Sequence, residues 1–160
     1  MVVLDSSAVI PLARVGSLQL IQQQWIQLRT TPGVQQEVLA DGYPGTAALS
    51  RFFGDVEIRH SDDTTSMARQ TGLHEEDAAI LQLANEQNDP LLAHDGALMN
   101  VAQSLGIERY WVPGVVLTAA KDGRLSPDTA ADLVLDLVDS GVALQPRVCA
   151  GLLREIRHLE

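Results

Sequence analysis

Asp5, Glu37, Asp77 and Asp95 are the residues whose type and placement could do chemistry in this chain. Asp5 ends the apolar run Val2-Val3-Leu4 and precedes Ser6-Ser7, and Asp95 ends a second run, Leu91-Leu92-Ala93-His94. Glu37 lies between Val34 and Val38, and Asp77 sits inside a helical pattern. A carboxylate where a strand gives way to a helix can cap that helix by accepting a backbone N–H. Several of them meeting at one edge of a parallel sheet would instead form a site for a divalent cation, because like charges in one cleft cannot all stay ionised uncompensated. All-oxygen donors suit Mg²⁺ or Mn²⁺, and the sequence has no Cys or His cluster that would prefer zinc.

Each acid also has a plainer reading. Asp-Ser-Ser before a helix is a good capping sequence, Asp95-Gly96 is a common strand-exit turn, and Glu37 could edge a solvated face. Asp77 is the most informative. With residues 73–87 on a helix at ~100° per residue, it falls within the stripe of Leu73, Ile80, Leu81 and Ala84, opposite Glu75, Gln82 and Glu86. The first turn of a helix favours an anion through the dipole, but anywhere around the turn. An ionised carboxylate on the apolar side is costly unless something pairs with it, which points to function. Asp128, Asp132, Asp136 and Asp139 lie along one helix face opposite Ala130, Leu133 and Leu137, and read as a solvated surface.

The elements that must position these residues alternate between strand and helix. Val2–Asp5 reads as a first strand, short and uniformly apolar as expected with helices on both faces. Ser6 or Ser7 then caps a helix reaching Arg14, and a second helix places Leu18, Ile21, Trp25 and Leu28 at helical spacing. Residues 29–31 form a second strand, and Pro32 opens the helix carrying Glu37. Residues 41–45 are turn chemistry, followed by a helix with Leu49, Phe52 and Phe53. Residues 56–60 alternate like a strand, and helices follow from Ser61 to near Gly72 and from about His74 to Gln87, where Asn88-Asp89-Pro90 stops the chain. Strand 91–94, helix 97–105 closed by Gly106, strand 110–112 and a helix from Pro113-Gly114 to Lys121 come next. Two more helices, near 127–140 and 146–157, end the chain. The pattern predicts an α/β fold: a three-layer α/β/α sandwich around a mainly parallel sheet, with 1–125 as the core of a single domain and 126–158 as a C-terminal helical extension. In such sheets ligands bind beyond the carboxyl ends of the strands, where strand order reverses, so neighbouring first and fourth strands would bring Asp5 and Asp95 together.

Composition bounds the rest. At 160 residues and 46% hydrophobic content the chain can bury a sizeable core. No apolar run approaches the ~20 residues that span a bilayer, and the N-terminus lacks a basic lead, so a cytoplasmic protein is expected. Cys149 is alone and reads as a small core residue. A net charge of −10 argues against a general nucleic-acid coating protein, which needs Lys and Arg on phosphates, but not against a nuclease that reaches phosphate through bound cations.

Taken together, these residues resemble the PIN-domain nucleases, the metal-dependent ribonuclease family that includes VapC toxins. Val-Val-Leu-Asp5-Ser-Ser7 resembles the family opening, Pro32-Gly-Val-Gln-Gln-Glu37-Val the second acidic motif, Leu73-His-Glu-Glu-Asp77 with the following helix the third, and Leu91-Leu-Ala-His-Asp95 the fourth. Ala102-x-x-Leu-Gly106-Ile, Asp122-Gly-Arg-Leu and Gly141-Val-Ala-Leu-Gln-Pro-Arg resemble a bacterial and archaeal branch with extra C-terminal helices. The resemblance implies hydrolysis of RNA with Mg²⁺ or Mn²⁺ on Asp5, Asp95, Asp77 and Glu37. On the residues themselves, Ser7 would orient Asp5 or a metal-bound water, Arg14 reads equally as a phosphate contact or a surface Arg, and His94 reads as a strand histidine sooner than as a substrate contact. The resemblance also implies a homodimer and a toxin restrained by a small antitoxin whose tail blocks the cleft; the apolar face of the 127–140 helix could serve such a dimer, but packing within the chain explains that face equally well. The chain departs from the family at Ala93, where Ser or Thr is common, at His94, and at Gly96, Ala97 and Leu98. The alternative is a PIN-fold interaction module that binds RNA or protein and cleaves little. A haloacid-dehalogenase-like phosphatase would need an acid at position 7, which is Ser, and a response-regulator receiver would need an acidic pair on the first loop.

Overall fold

The computed structural model of the protein describes residues 1–40 and 46–159, so the turn expected at 41–45 lies outside the described residues. Among the described residues, five short strands make one wholly parallel sheet in the order β3-β2-β1-β4-β5: β1 (Val2–Leu4), β2 (Leu28–Thr30), β3 (Val56–Ile58), β4 (Leu91–Leu92) and β5 (Arg109–Tyr110). Helices flank it, giving the expected three-layer α/β arrangement. β1 is central because its residues are apolar and can be covered on both sides, and Val2, Val3 and Leu4 are all fully buried. Val2 pairs with Leu28, and Val3 pairs with both Arg29 and Leu91.

Strand order reverses between β1 and β4, so the crevice beyond their carboxyl ends is the switch point of the sheet. Two polar contacts fix that edge. Thr30, fully buried, donates its hydroxyl to the Leu4 carbonyl at 2.6 Å, and the Asp5 N–H donates to the Leu92 carbonyl at 3.0 Å.

The crossovers are α1 (Ser6–Arg14), α2 (Gln19–Gln24), α3 (Pro32–Val38), α4 (Thr46–Phe53), α5 (Thr64–Thr71), α6 (Glu75–Gln87) and α7 (Gly96–Ser104), and α8 (Val112–Lys121) follows the last strand. α2 stops four residues short of Leu28. Trp25 turns extended, and Leu28 is a strand residue whose helical spacing from Ile21 is incidental. The cap of α1 is Asp5 rather than Ser6 or Ser7, and Asp95 caps α7 rather than turning away from it. Thr31 caps α3 and Pro32 begins it. Asn88, in the left-handed region, ends α6.

α9 (Pro127–Asp139) packs on α8 and α10 (Pro146–Arg157), and its Ala130, Val134 and Leu137 join the same buried cluster as β1. Of the two readings of that apolar face, packing within the chain is the one the structure shows. The outward Asp128, Asp132, Asp136 and Asp139 are exposed, as their spacing predicted. Cys149 is half-buried against the core. Among the described residues no helix is long and apolar enough to cross a membrane.

Candidate active site

Asp5, Glu37, Asp77 and Asp95 line one open cleft of about 440 Å³ together with Ser7 and His74. They arrive there from four helices. Asp5 precedes α1 at the end of β1, Asp95 precedes α7 beyond β4, Asp77 is in the first turn of α6, and Glu37 is in the last turn of α3. The first three sit at helix N-termini, where the dipole and free N–H groups favour an anion. Glu37 sits at the opposite pole, where the dipole disfavours it, so its position has no capping explanation.

Capping and cleft lining coexist at Asp5 and Asp95 because each carboxylate has two oxygens. Asp5 Oδ2 accepts from the Ser7 N–H at 3.2 Å and from the Ser7 hydroxyl, and Asp95 Oδ1 accepts from the Leu98 N–H at 2.9 Å. Asp5 Oδ1 and Asp95 Oδ2 accept no hydrogen bond among the described residues. Ser7 completes a chain across the sheet edge, since its hydroxyl also accepts the backbone N–H of His94 at 2.9 Å.

The electrostatics are those of crowded carboxylates. Burial is the main cause that holds the Asp5 carboxyl above its ordinary range; the two hydrogen bonds from Ser7 oppose this, and Asp77 and Glu37 add to it. Asp77 is also raised, first by burial and then by Asp95, with the nearby His74 pulling the other way and Glu37 and Glu76 adding repulsion. These are the couplings expected of acids facing one space.

The donor set is one that a hard dication would take, and its charge is what such an ion would offset. It is not a closed cage: among the described residues no three His, Cys, Asp or Glu side chains stand close enough to hold an ion between them.

The other candidates fall elsewhere. Arg14 is exposed in the last turn of α1 and is not part of the cleft wall. His94 turns away from the acids: its Nε2 donates to the Ala143 carbonyl at 3.0 Å, its ring lies parallel to Trp111 with centroids 6.0 Å apart, and its buried Nδ1 has no partner among the described residues. Sequence reasoning missed His74 and Glu76. Both belong to the turn that delivers Asp77, which was the available signal.

A sequence model of the DUF3368 family, described as a PIN domain, matches residues 1–158. Comparison with curated proteins found no match. Among solved structures, the crystal structure of PAE2754 from Pyrobaculum aerophilum is similar with a TM-score of 0.59 at 18% identity, covering 74% of this chain and 95% of that one. That likeness is one of fold. PIN domains are in general nucleases and typically use divalent metals. A match over almost the entire sequence, on a parallel sheet whose switch point gathers the four acids, makes this chain a member of the PIN-domain family.

Proposed function

We propose that the protein is a metal-dependent endoribonuclease that hydrolyses RNA phosphodiester bonds in the cleft of Asp5, Glu37, Asp77 and Asp95. The observation that carries this reading is that four acids remote in sequence line one open cleft at the sheet's switch point, one of them at a helix end that disfavours it.

Asp5 and Asp95 would hold Mg²⁺ or Mn²⁺ through the oxygens their caps leave unused, with Asp77 and Glu37 completing the site. When bound, such a cation makes water acidic enough to attack at neutral pH and offsets charge developing on the phosphate oxygens. The chain's own groups do the positioning. Ser7 holds the Asp5 carboxylate in one orientation, and His74 offsets part of the charge around Asp77. The uncompensated cleft repels phosphate, so RNA binding follows cation binding.

The test is cleavage of mixed RNA and DNA oligonucleotides in Mg²⁺, Mn²⁺ or EDTA, with Asp5→Asn in parallel. RNA should be cut only with the cation, and Asp5→Asn should fold normally and cut nothing. Full activity in that variant would refute the assignment.

A weakly active RNA- or protein-binding module is the second reading, favoured by the absence of three donors poised on one point among the described residues. RNA binding without cleavage under both cations would support it. A toxin role would place a small antitoxin's tail in the same cleft, and co-purification with such a protein would support that role. A homodimer would have to use a surface other than the apolar face of α9, which is already covered.

A further inference from the structure

A larger cavity, of about 680 Å³, adjoins the acid cleft, and Asp95 lines both. One wall carries the parallel rings of His94 and Trp111. Another comes from β5 through Arg109, and the far wall from the α9–α10 connection and the start of α10, through Leu144, Gln145 and Val148. The C-terminal extension therefore does more than extend the core: its 143–148 segment forms one wall of an open cavity.

The chemistry of this chamber differs from that of its neighbour. Its exposed surface combines aromatic rings and aliphatic groups with the amides of Asn100 and Gln145. Arg109, exposed and without an ion pair among the described residues, supplies the guanidinium of this wall. Its volume lies within the ~300–1,000 Å³ of ordinary small-ligand sites. Flat rings, side-chain amides and one unpaired guanidinium are what an unstacked base and its attached phosphate require.

We propose that this cavity is a nucleobase subsite, holding an unpaired base of the RNA strand whose neighbouring phosphate lies in the acid cleft. The adjoining phosphate rests on the nuclease reading above; the recognition of a base does not. Arg109 meets the phosphate on the far side of that base, the rings support the base, and the shared Asp95 wall sets the step of one nucleotide between the two sites. Selectivity for single strands follows, since a paired base cannot leave its stack without cost.

The chain has two tryptophans, so the full-length Trp25→Phe protein reports from Trp111 alone. Its fluorescence is titrated with the four nucleoside 5′-monophosphates and, as a base-free comparator, with ribose 5-phosphate. At least one nucleotide should give a saturable change and bind about tenfold more tightly than ribose 5-phosphate, the scale of one base–aromatic stack. In the Trp25→Phe background, Val148→Phe fills the cavity from an exposed helix position and Arg109→Ala removes the cation; each should weaken nucleotide binding fivefold or more. Circular dichroism checks that each variant is folded. Nucleotides indistinguishable from ribose 5-phosphate, or no change with any of them, would overturn the subsite, even if the protein cleaves RNA. Base-dependent binding in a protein that cleaves nothing would uphold the subsite and remove the nuclease reading.

Discussion

The backbone N–H of His94 donates to the Ser7 hydroxyl at 2.9 Å, tying the exits of β4 and β1 together across 87 residues of chain. The same hydroxyl donates to Asp5, so its proton has one place to go and the carboxylate is held from both sides of the switch point. Ser7→Ala strands the His94 N–H and removes one of the two hydrogen bonds that lower the Asp5 pKa. The expected cost is about 1–2 kcal/mol in urea unfolding. A less easily ionised Asp5 should also raise the Mn²⁺ concentration needed for half-maximal cleavage, more at pH 6 than at pH 8. Ser7→Thr keeps the hydroxyl and should restore both properties. A Ser7→Ala protein with normal stability and normal Mn²⁺ dependence would show that the bridge does not control Asp5.

Asp77 gives a prediction whose sign runs against the usual carboxylate. Burial, and then the charge of Asp95, hold its native pKa above the ordinary value. Such a group favours the native state when protonated, and that contribution is lost as pH rises through the native pKa. At pH 7 without metal, the ionised Asp77 therefore destabilises the fold. Asp77→Asn should raise the metal-free Tm by about 1–2 °C, a small effect because the site is largely solvated. The gain should disappear below about pH 4, where the wild-type carboxyl is protonated in both states. Saturating Mg²⁺ should reverse the order, stabilising the wild type more than the variant. Calorimetric scans at pH 4 and pH 7, with and without Mg²⁺, measure all three expectations.

Most of the fold and the membership of the acid cleft were legible in the sequence, for physical reasons that also mark the limits. The central strands were readable because a strand covered on both faces must be apolar throughout, as Val2–Leu4 is. Asp77 was readable because a charge on the inward side of a helix needs a reason. Glu37 was ambiguous because helical phase alone does not say which pole of α3 faces the cleft; the structure supplies that. Leu28 was misread because its spacing from Ile21 matches a helix, whereas sheet pairing with Val2 decides its conformation. The second cavity was invisible because its walls come from three separate stretches, 94–100, 109–111 and 143–148, and no local pattern links them. Nor did the sequence show that Asp5 and Asp95 would each divide their oxygens between a cap and the cleft.

Arg29 separates stability from activity. It lies in β2 with its side chain 9% exposed, pairing with Glu57 at 2.8 Å and Asp89 at 2.9 Å. Removing one partner of a buried ion pair leaves the other uncompensated, which is where such pairs show their largest effects. Asp89 is itself mostly covered, with 13% of its side chain exposed, so Arg29→Ala should destabilise the protein by about 2–4 kcal/mol in urea unfolding. Arg29 lines neither the cleft nor the neighbouring cavity, so cleavage per folded molecule should be unchanged. Arg29→Met, which retains the packing of the stem without the charge, should fall between the two. A loss of turnover larger than the loss of folded protein would mean that the pair influences the cleft through β1.

Gly114→Ala sets two effects against each other at one position. A helix interior gains up to about 1 kcal/mol when Gly becomes Ala, and Gly114, in the first turn of α8, gains less. Here, however, a Cβ would lie 2.9 Å from Trp111 Cδ1 and 3.0 Å from its Nε1. The indole is rigid and lies parallel to His94, so it cannot yield by rotating a flexible tip; the ring must shift as a whole. Overpacking of this kind typically costs about 1–3 kcal/mol, which outweighs the gain in helix propensity. The variant should lose about 1 kcal/mol net. Its near-ultraviolet circular dichroism should change in the tryptophan region while the far-ultraviolet spectrum does not. A stabilised Gly114→Ala protein with an unchanged near-ultraviolet spectrum would show that the indole has room to move, and that the parallel rings are not held in place by the absence of a side chain at residue 114.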